Sequence, residues 1–115
     1  MRRFVMAFLL AQLTSLAPAC APIAGDACET SSDCGRSMYC ERSMPDGYCT
    51  LESCVNRACP GDGVCIRFTT DRSFCMQPCE SKSDCRDGYT CVEDFGVHAF
   101  CNDARGQVPA SEPAP

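Results

Sequence analysis

Apolar residues are distributed unevenly along this 115-residue chain. Residues 4–16, FVMAFLLAQLTSL, form an almost continuous apolar run, whereas residues 28–101 contain only ten Leu, Ile, Val or Phe among 74. That fraction lies below the roughly 20% at which chains without cross-links tend toward disorder. Because ordering the backbone costs about 1–2 kcal/mol per residue, so small an apolar core predicts a fold held by covalent cross-links.

The apolar run at the N-terminus has the layout of a secretory signal peptide. Arg2 and Arg3 precede it, and the small residues Ala17 and Ala19 follow it. The run is too short for a comfortable membrane span, so we expect residues 1–19 to be removed on export. The alternative, a buried N-terminal helix, is disfavoured because no charged residue interrupts the run.

Cysteine dominates the rest of the chain, with thirteen residues in total. The last twelve fall into three sets of four, here called modules 1, 2 and 3, at residues 28–49, 54–75 and 79–101. The gap between the second and third cysteines is always five residues, and an aromatic residue always precedes the fourth: Tyr48, Phe74 and Phe100. This self-similarity predicts one structural unit of about 25 residues, repeated three times.

Each module is expected to contain one short β-hairpin between its third and fourth cysteines. The turn signal is clearest at Pro45-Asp46-Gly47, where proline presets φ and glycine tolerates a positive φ. Gly and Asp between the second and third cysteines of modules 2 and 3 predict a further turn. The predicted strand pairs are 38–42 with 48–51, 64–68 with 73–76, and 90–94 with 97–101.

The fold class is therefore a small disulfide-rich protein, irregular apart from short β-hairpins, with three tandem four-cysteine modules. An isolated two-stranded hairpin is marginal in water, so the cross-links must hold it. Residues 20–27 are expected to be a short tether. Residues 102–115 consist of Ala, Pro and polar residues without periodicity, which predicts a disordered tail.

The spacing C-x4,5-C-x5-C-x8,9-C, with SSDC and SKSDC before the second cysteine, resembles two groups of proteins. One is the N-terminal cysteine-rich module of the Dickkopf family. The other is a set of repeated cysteine-rich modules in predicted secreted and lipid-anchored proteins of Gram-negative bacteria. The resemblance covers residues 28–101 and implies an extracellular protein-binding module. EGF-like modules, with six cysteines per unit, are a more distant comparison.

Four cysteines allow three pairings in each module. Joining the first to the third and the second to the fourth ties the lead-in, the residues from the first to the second cysteine, to both hairpin strands. Chain entropy separates the three schemes only weakly, and the repeat resemblance contributes to the choice. The expected pairs are Cys28–Cys40, Cys34–Cys49, Cys54–Cys65, Cys59–Cys75, Cys79–Cys91 and Cys85–Cys101.

Cys20 is the cysteine left over from the three sets. It follows LAPA, and LAPAC resembles the lipobox of bacterial lipoproteins, which implies a cysteine diacylated on sulfur at the mature N-terminus. The sequence departs from that pattern because Ala17 stands where Leu is usual and Pro18 follows it. Ala21, rather than Asp, after the cysteine favours the outer membrane or the cell surface. The alternative is ordinary cleavage after Ala19, which leaves Cys20 as a free thiol or an intermolecular bridge.

Catalytic and metal-binding chemistry have little support in the sequence. The chain has no CxxC motif for zinc or for redox catalysis, and His98 is its only histidine. We expect His98 to be a solvent-facing strand residue, and we expect no enzymatic activity and no metal or cofactor. Calcium is the remaining alternative, because four aspartates lie in turns: Asp33, Asp62, Asp84 and Asp87. The chain lacks a DxDxDG loop, and Asp33 and Asp84 are expected instead to cap short turns.

The variable loops between the third and fourth cysteines are the candidate binding surface, because a constant frame with varied loops is typical of small secreted binding scaffolds. The candidate contact residues are Arg67, Phe68, Arg72, Phe95 and His98, although these positions also fit tolerant surface. Without residues 1–19 the net charge is −7, which argues against binding nucleic acid or anionic lipid by charge. The expected partners are a membrane, through the lipid anchor, and an extracellular protein or glycan. The competing function is a soluble secreted inhibitor or effector that acts through one hairpin loop.

Overall fold

The computed structural model describes residues 21–35 and 37–110, so the predicted signal peptide, Cys20 and residues 111–115 lie outside the described residues. It has three two-stranded antiparallel sheets, formed by β1 (Tyr39–Glu41) with β2 (Tyr48–Thr50), β3 (Val64–Arg67) with β4 (Ser73–Met76), and β5 (Tyr89–Val92) with β6 (Phe100–Asp103). Short 3₁₀ helices span Ser31–Cys34 and Lys82–Asp84. The expected disulfide-rich fold with short hairpins is confirmed. The described residues include no helix long and apolar enough to span a bilayer.

Cysteines face each other across every hairpin. Strand registers place Cys40 opposite Cys49, Cys65 opposite Cys75, and Cys91 opposite Cys101. Directly opposed residues of antiparallel strands have their side chains on the same face, so both cysteines of a pair point toward the lead-in. Each then bonds a lead-in cysteine, which produces the pairs expected from the crossed scheme: Cys28–Cys40, Cys34–Cys49, Cys54–Cys65, Cys59–Cys75, Cys79–Cys91 and Cys85–Cys101.

The hairpin of module 3 differs from its prediction. Its strands are Tyr89–Val92 and Phe100–Asp103 rather than 90–94 and 97–101. Cys91 lies opposite Cys101, so in a continued strand Val97 would lie opposite Phe95. Only one residue would then connect the two strands, and one residue is too short to reverse the direction of the chain. The chain instead forms a seven-residue loop, residues 93–99. His98 is therefore an exposed loop residue and not the strand residue that was expected.

Each second strand of a hairpin also bonds the segment that precedes its module. The N–H groups of Cys49, Cys75 and Cys101 donate to the carbonyls of Asp26, Leu51 and Gln77, at 2.9, 2.9 and 2.8 Å. The expected tether at 20–27 is therefore wrong for its described part. Ala24 is buried. Gly25 N–H donates to Cys49 O, and this bond gives a backbone group on the outer edge of β2 the partner that it would otherwise lack.

The buried apolar residues form two clusters, of which one joins modules 1 and 2 and the other is shared by all three modules. The aromatic residue before each fourth cysteine was expected to pack on its own hairpin, yet Tyr48, Phe74 and Phe100 all enter the shared cluster and are at most 1% exposed. Tyr48 Oη donates to Cys101 O at 3.1 Å and accepts Gln77 N–H at 2.8 Å. Burial raises the pKa of Tyr48, so its hydroxyl keeps the proton that it donates. Module 1 is thereby bonded directly to module 3.

Arg86 forms a second connection between modules 3 and 1. Its guanidinium donates to Gly25 O at 2.9 Å, to Pro45 O at 3.1 Å and to Gly47 O. It also lies 4.4 Å from the ring centre of Tyr89, whose hydroxyl donates to Pro45 O at 2.7 Å. The planar fork of arginine can reach three carbonyls at once, which a lysine ammonium at the same place would do less well.

The C-terminal segment is ordered further than expected. A disordered tail was predicted from residue 102, but Asn102 and Asp103 belong to β6, and Ala104 N–H donates to Gly88 O at 2.9 Å. Pro109 is buried, and its carbonyl accepts a hydrogen bond of 2.8 Å from Arg72 Nη2. These contacts lie far apart in sequence, so the polar and proline-rich composition of the tail does not reveal them.

Gly47 and Gly96 provide a matched test of the turn in module 1. Both have positive φ, +73° and +77°, but a Cβ at Gly47 would lie 2.1 Å from Cys28 O, whereas Gly96 has no atom within 4 Å. Gly96→Ala should cost about 1–2 kcal/mol from left-handed strain alone. Gly47→Ala should cost at least about 2 kcal/mol more, because the backbone beside Cys28 must move. Urea unfolding of the oxidised proteins measures both, and equal destabilisation would contradict this packing.

Candidate functional site

The variable loops of modules 2 and 3 meet on one face of the protein. Phe68 stacks on Phe95, with ring centres 5.7 Å apart, and contacts Phe100 edge-on at 5.6 Å. Phe95 in turn contacts Phe100 edge-on at 6.1 Å. Aromatic pairs of this kind contribute about 0.5–1.5 kcal/mol each beyond the burial of their area. Two loops that are about 25 residues apart in sequence are thus held together as one surface.

An open groove of about 260 Å³, here called the β3 groove, runs between strand β3 and the loop of module 3. Its lining residues are Cys65, Ile66, Arg67, Phe95, Gly96, Val97 and His98. Phe95 is 41% exposed and Val97 is 93% exposed, so the loop presents apolar surface to solvent. Among these described lining residues the ionisable side chains are Arg67 and His98, and none is a carboxylate. The groove therefore combines apolar walls with basic groups on a protein of net negative charge.

The five predicted contact residues have different positions. Arg67, Phe95 and His98 line the β3 groove together. Phe68 is half-buried beneath it and packs against the shared apolar cluster. Arg72 is outside the groove, because its guanidinium lies 5.4 Å from the ring centre of Phe74 and bonds the C-terminal segment. Arg72 is therefore a structural residue of this fold.

Val97 is the groove residue that sequence reasoning missed. Residue 97 was predicted to begin a strand and was not among the candidate contact residues, whereas the loop exposes its side chain almost fully. The available signal was its position directly after Gly96, in the loop that differs most from its counterparts in modules 1 and 2.

Asp33 and Asp84 cap the two 3₁₀ helices, as expected. Asp33 Oδ2 accepts the N–H groups of Thr30 and Glu29, both at 3.0 Å. These N–H groups stabilise the ionised form and hold the pKa of Asp33 below its ordinary value. In module 3 the N–H groups of Glu80 and Ser81, at 2.8 and 3.1 Å, lower the pKa of Asp84 in the same way. Capping accounts for both aspartates without a calcium ion.

Sulfur atoms form close groups of three in every module. The Sγ atoms of Cys28, Cys34 and Cys49 lie within 4.8 Å of one another, and modules 2 and 3 repeat the arrangement. All of these atoms belong to disulfides, and the metal ligand of a cysteine is its thiolate. The groups therefore reflect two disulfides packed side by side, which is the geometry that the crossed pairing produces.

No family model, curated protein or solved structure matches the chain. The likeness to Dickkopf and bacterial lipoprotein modules accordingly rests on the cysteine spacing and the lead-in residues alone. The case for a function depends on the geometry of the β3 groove and its frame.

Removing the capping carboxylates should change how stability depends on pH. Because the folded-state pKa of Asp84 lies below its unfolded-state value, its carboxylate stabilises the fold above about pH 4, and this contribution is lost as the pH falls through the folded-state pKa. Asp84→Asn and Asp33→Asn should lower the urea midpoint at pH 7 and should approach the wild type near pH 2. Asp62→Asn is the control, because within the described residues its carboxylate accepts no hydrogen bond. A midpoint deficit that is independent of pH would contradict the assignment.

Proposed function

We propose that the protein is an exported, lipid-anchored and non-enzymatic binding protein, whose disulfide frame presents the β3 groove to an extracellular partner. The observation that carries the proposal is the exposure of Phe95 and Val97 beside Arg67 and His98 in one groove. Apolar surface rimmed by polar groups is characteristic of sites that bind other molecules.

The frame supports binding because it limits how much the groove can move. Cys65, at the start of the groove, is bonded to Cys54, and the opposite strand is bonded to the lead-in through Cys75. Phe95 is held by its stacking on Phe68, although the residue remains partly exposed to solvent. A preorganised surface loses less conformational entropy on binding, and affinity improves accordingly.

Export is supported by the disulfides, which persist in oxidising compartments. The lipobox-like LAPAC supports an anchor at Cys20. Gly25 is already bonded into the fold and lies five positions after that anchor, a span of at most about 18 Å. An acylated protein would therefore lie close to the membrane surface, at the outer membrane or cell surface.

A contact role for His98 fits better than a catalytic one. The residue is exposed in the loop 93–99, and within the described part of the chain no hydrogen bond orients its ring. A catalytic histidine of the triad type is oriented by a second group. The same exposure suits a side chain that meets a partner across the rim of the groove.

Photo-cross-linking in the native host tests the proposed binding site. p-Benzoylphenylalanine placed at Val97 should yield a specific covalent adduct with an extracellular macromolecule, because this side chain is 93% exposed at the groove. The control is the same group at Ile23, an exposed apolar residue of the segment that precedes module 1. Absence of an adduct at position 97, or the same adducts at both positions, would contradict a binding role for the groove.

Intact mass spectrometry of the mature protein tests the anchor. We expect cleavage before Cys20, added acyl mass on that residue and six disulfides. Cys20→Ser should leave an uncut precursor or a soluble product, with the other twelve cysteines still paired. A wild-type protein that is soluble and unacylated would refute the anchor and would favour the soluble inhibitor or effector.

A further inference from the structure

Strand β3 has one edge paired and one edge free. Phe68 N–H donates to Arg72 O at 2.9 Å, and Ile66 is opposite Phe74, so these even-numbered positions bond toward β4. In an antiparallel pair the intervening positions point their N–H and C=O groups the other way. Cys65 and Arg67 therefore direct their backbone groups to the outer edge of the hairpin.

The partners of β4 support this assignment. Cys75 N–H donates to Leu51 O, and Ser73 O accepts Ser53 N–H, so the residues opposite Cys65 and Arg67 face away from β3. Within the described residues, neither Cys65 N–H nor Arg67 N–H has a hydrogen-bond partner. A free row of backbone donors and acceptors is a template for another strand.

Module 1 shows how the same edge is closed elsewhere in the protein. There Cys40 N–H donates to Ser31 Oγ at 3.2 Å, and Ser31 lies three residues after the first cysteine of its module. The lead-in of module 2 is one residue shorter than that of module 1, and at the same distance from its first cysteine it has Arg57, whose guanidinium donates to Glu52 O and has no acceptor to offer. Among the described residues no side chain of the module 2 lead-in bonds Cys65 N–H in the way that Ser31 bonds Cys40 N–H.

This open edge forms one side of the β3 groove. The other side is the loop with Phe95 and Val97, so a strand added to β3 would place alternate side chains against apolar surface. Main-chain hydrogen bonds at the edge and side-chain contacts in an adjacent groove are the two components of peptide recognition by β-augmentation.

We propose that the β3 groove binds an extended peptide segment of the partner protein, which adds to β3 as an antiparallel or parallel strand. Its backbone bonds Cys65 and Arg67, an apolar side chain packs on Phe95 and Val97, and an acidic side chain pairs with Arg67. The proposal rests on the proposed binding function and names the chemistry of the partner.

Charge distinguishes an acidic peptide from a second copy of this chain. Arg67 lines the groove, and its guanidinium, which stays charged, complements a carboxylate. A second copy would bring its own Arg67 to a pairing of four-residue strands, where neighbouring like charges are destabilising.

The test uses a phage library of random linear peptides, selected on the mature oxidised protein. Selected peptides should combine an acidic residue with alternating apolar residues. Binding should slow amide hydrogen exchange of Cys65 and Arg67 by about tenfold or more, as new backbone hydrogen bonds require. N-methylation of every second peptide residue should abolish binding when the methylated amides face β3. Methylation of the intervening amides, which face away from β3, should not abolish binding.

Variants assign the binding to the groove. Phe95→Ala combined with Val97→Ser should weaken binding of the selected peptides by about tenfold or more. Selection on the Arg67→Glu variant should yield peptides with a basic residue in place of the acidic one. Ile23→Ser, which changes an exposed apolar residue outside the groove, should leave affinity unchanged. Wild-type stability of each variant is checked by urea unfolding.

The possible failures are distinguishable. If the cross-linker at position 97 captures a partner but no peptide protects Cys65 and Arg67, the edge proposal is overturned and the binding function stands. Capture of a glycan alone, or self-association through β3 in sedimentation experiments, overturns the edge proposal as well. If neither peptides nor cross-linked adducts are obtained, both proposals fail.

Discussion

The structure depends on the two cysteines that lie directly opposite each other in each hairpin. In each hairpin the register fixes both side chains on one face, and both bond to the same lead-in. The hairpin is thereby held by two adjacent cross-links instead of by an apolar layer, which the chain lacks the residues to build. The turn of module 1 packs so closely on this arrangement that a side chain at Gly47 would overlap Cys28.

Cross-links within modules do not explain why the modules form one body. That depends on backbone and side-chain contacts between repeats, above all the bond from each fourth-cysteine N–H to the segment preceding its module. Tyr48 and Arg86 then connect module 1 to module 3, so the first and last repeats are bonded as well as the neighbours. Apolar residues of all three modules combine into one shared cluster that no single module could form alone.

In the loops between the third and fourth cysteines, some residues stabilise the fold and others are exposed to solvent. Phe68 joins the loops of modules 2 and 3 from below, and Arg72 holds the C-terminal segment. Phe95 and Val97 face solvent beside the outer edge of β3, where Cys65 N–H lacks the side-chain partner that Ser31 provides for Cys40 in module 1. The same repeat unit therefore forms both the frame of the proposed site and the site itself.

The sequence by itself determined the features that depend on local spacing. These are the repeat, the hairpins of modules 1 and 2 and the caps at Asp33 and Asp84, since each involves residues a short distance apart in the chain. Tertiary structure decided the pairing of residues 25–26 with β2, the ordered segment 102–110 and the role of Arg72. Those features depend on how one module lies against another, and cysteine spacing within a module carries no information about that placement. The β3 groove belongs to the same class, because its two walls come from different modules.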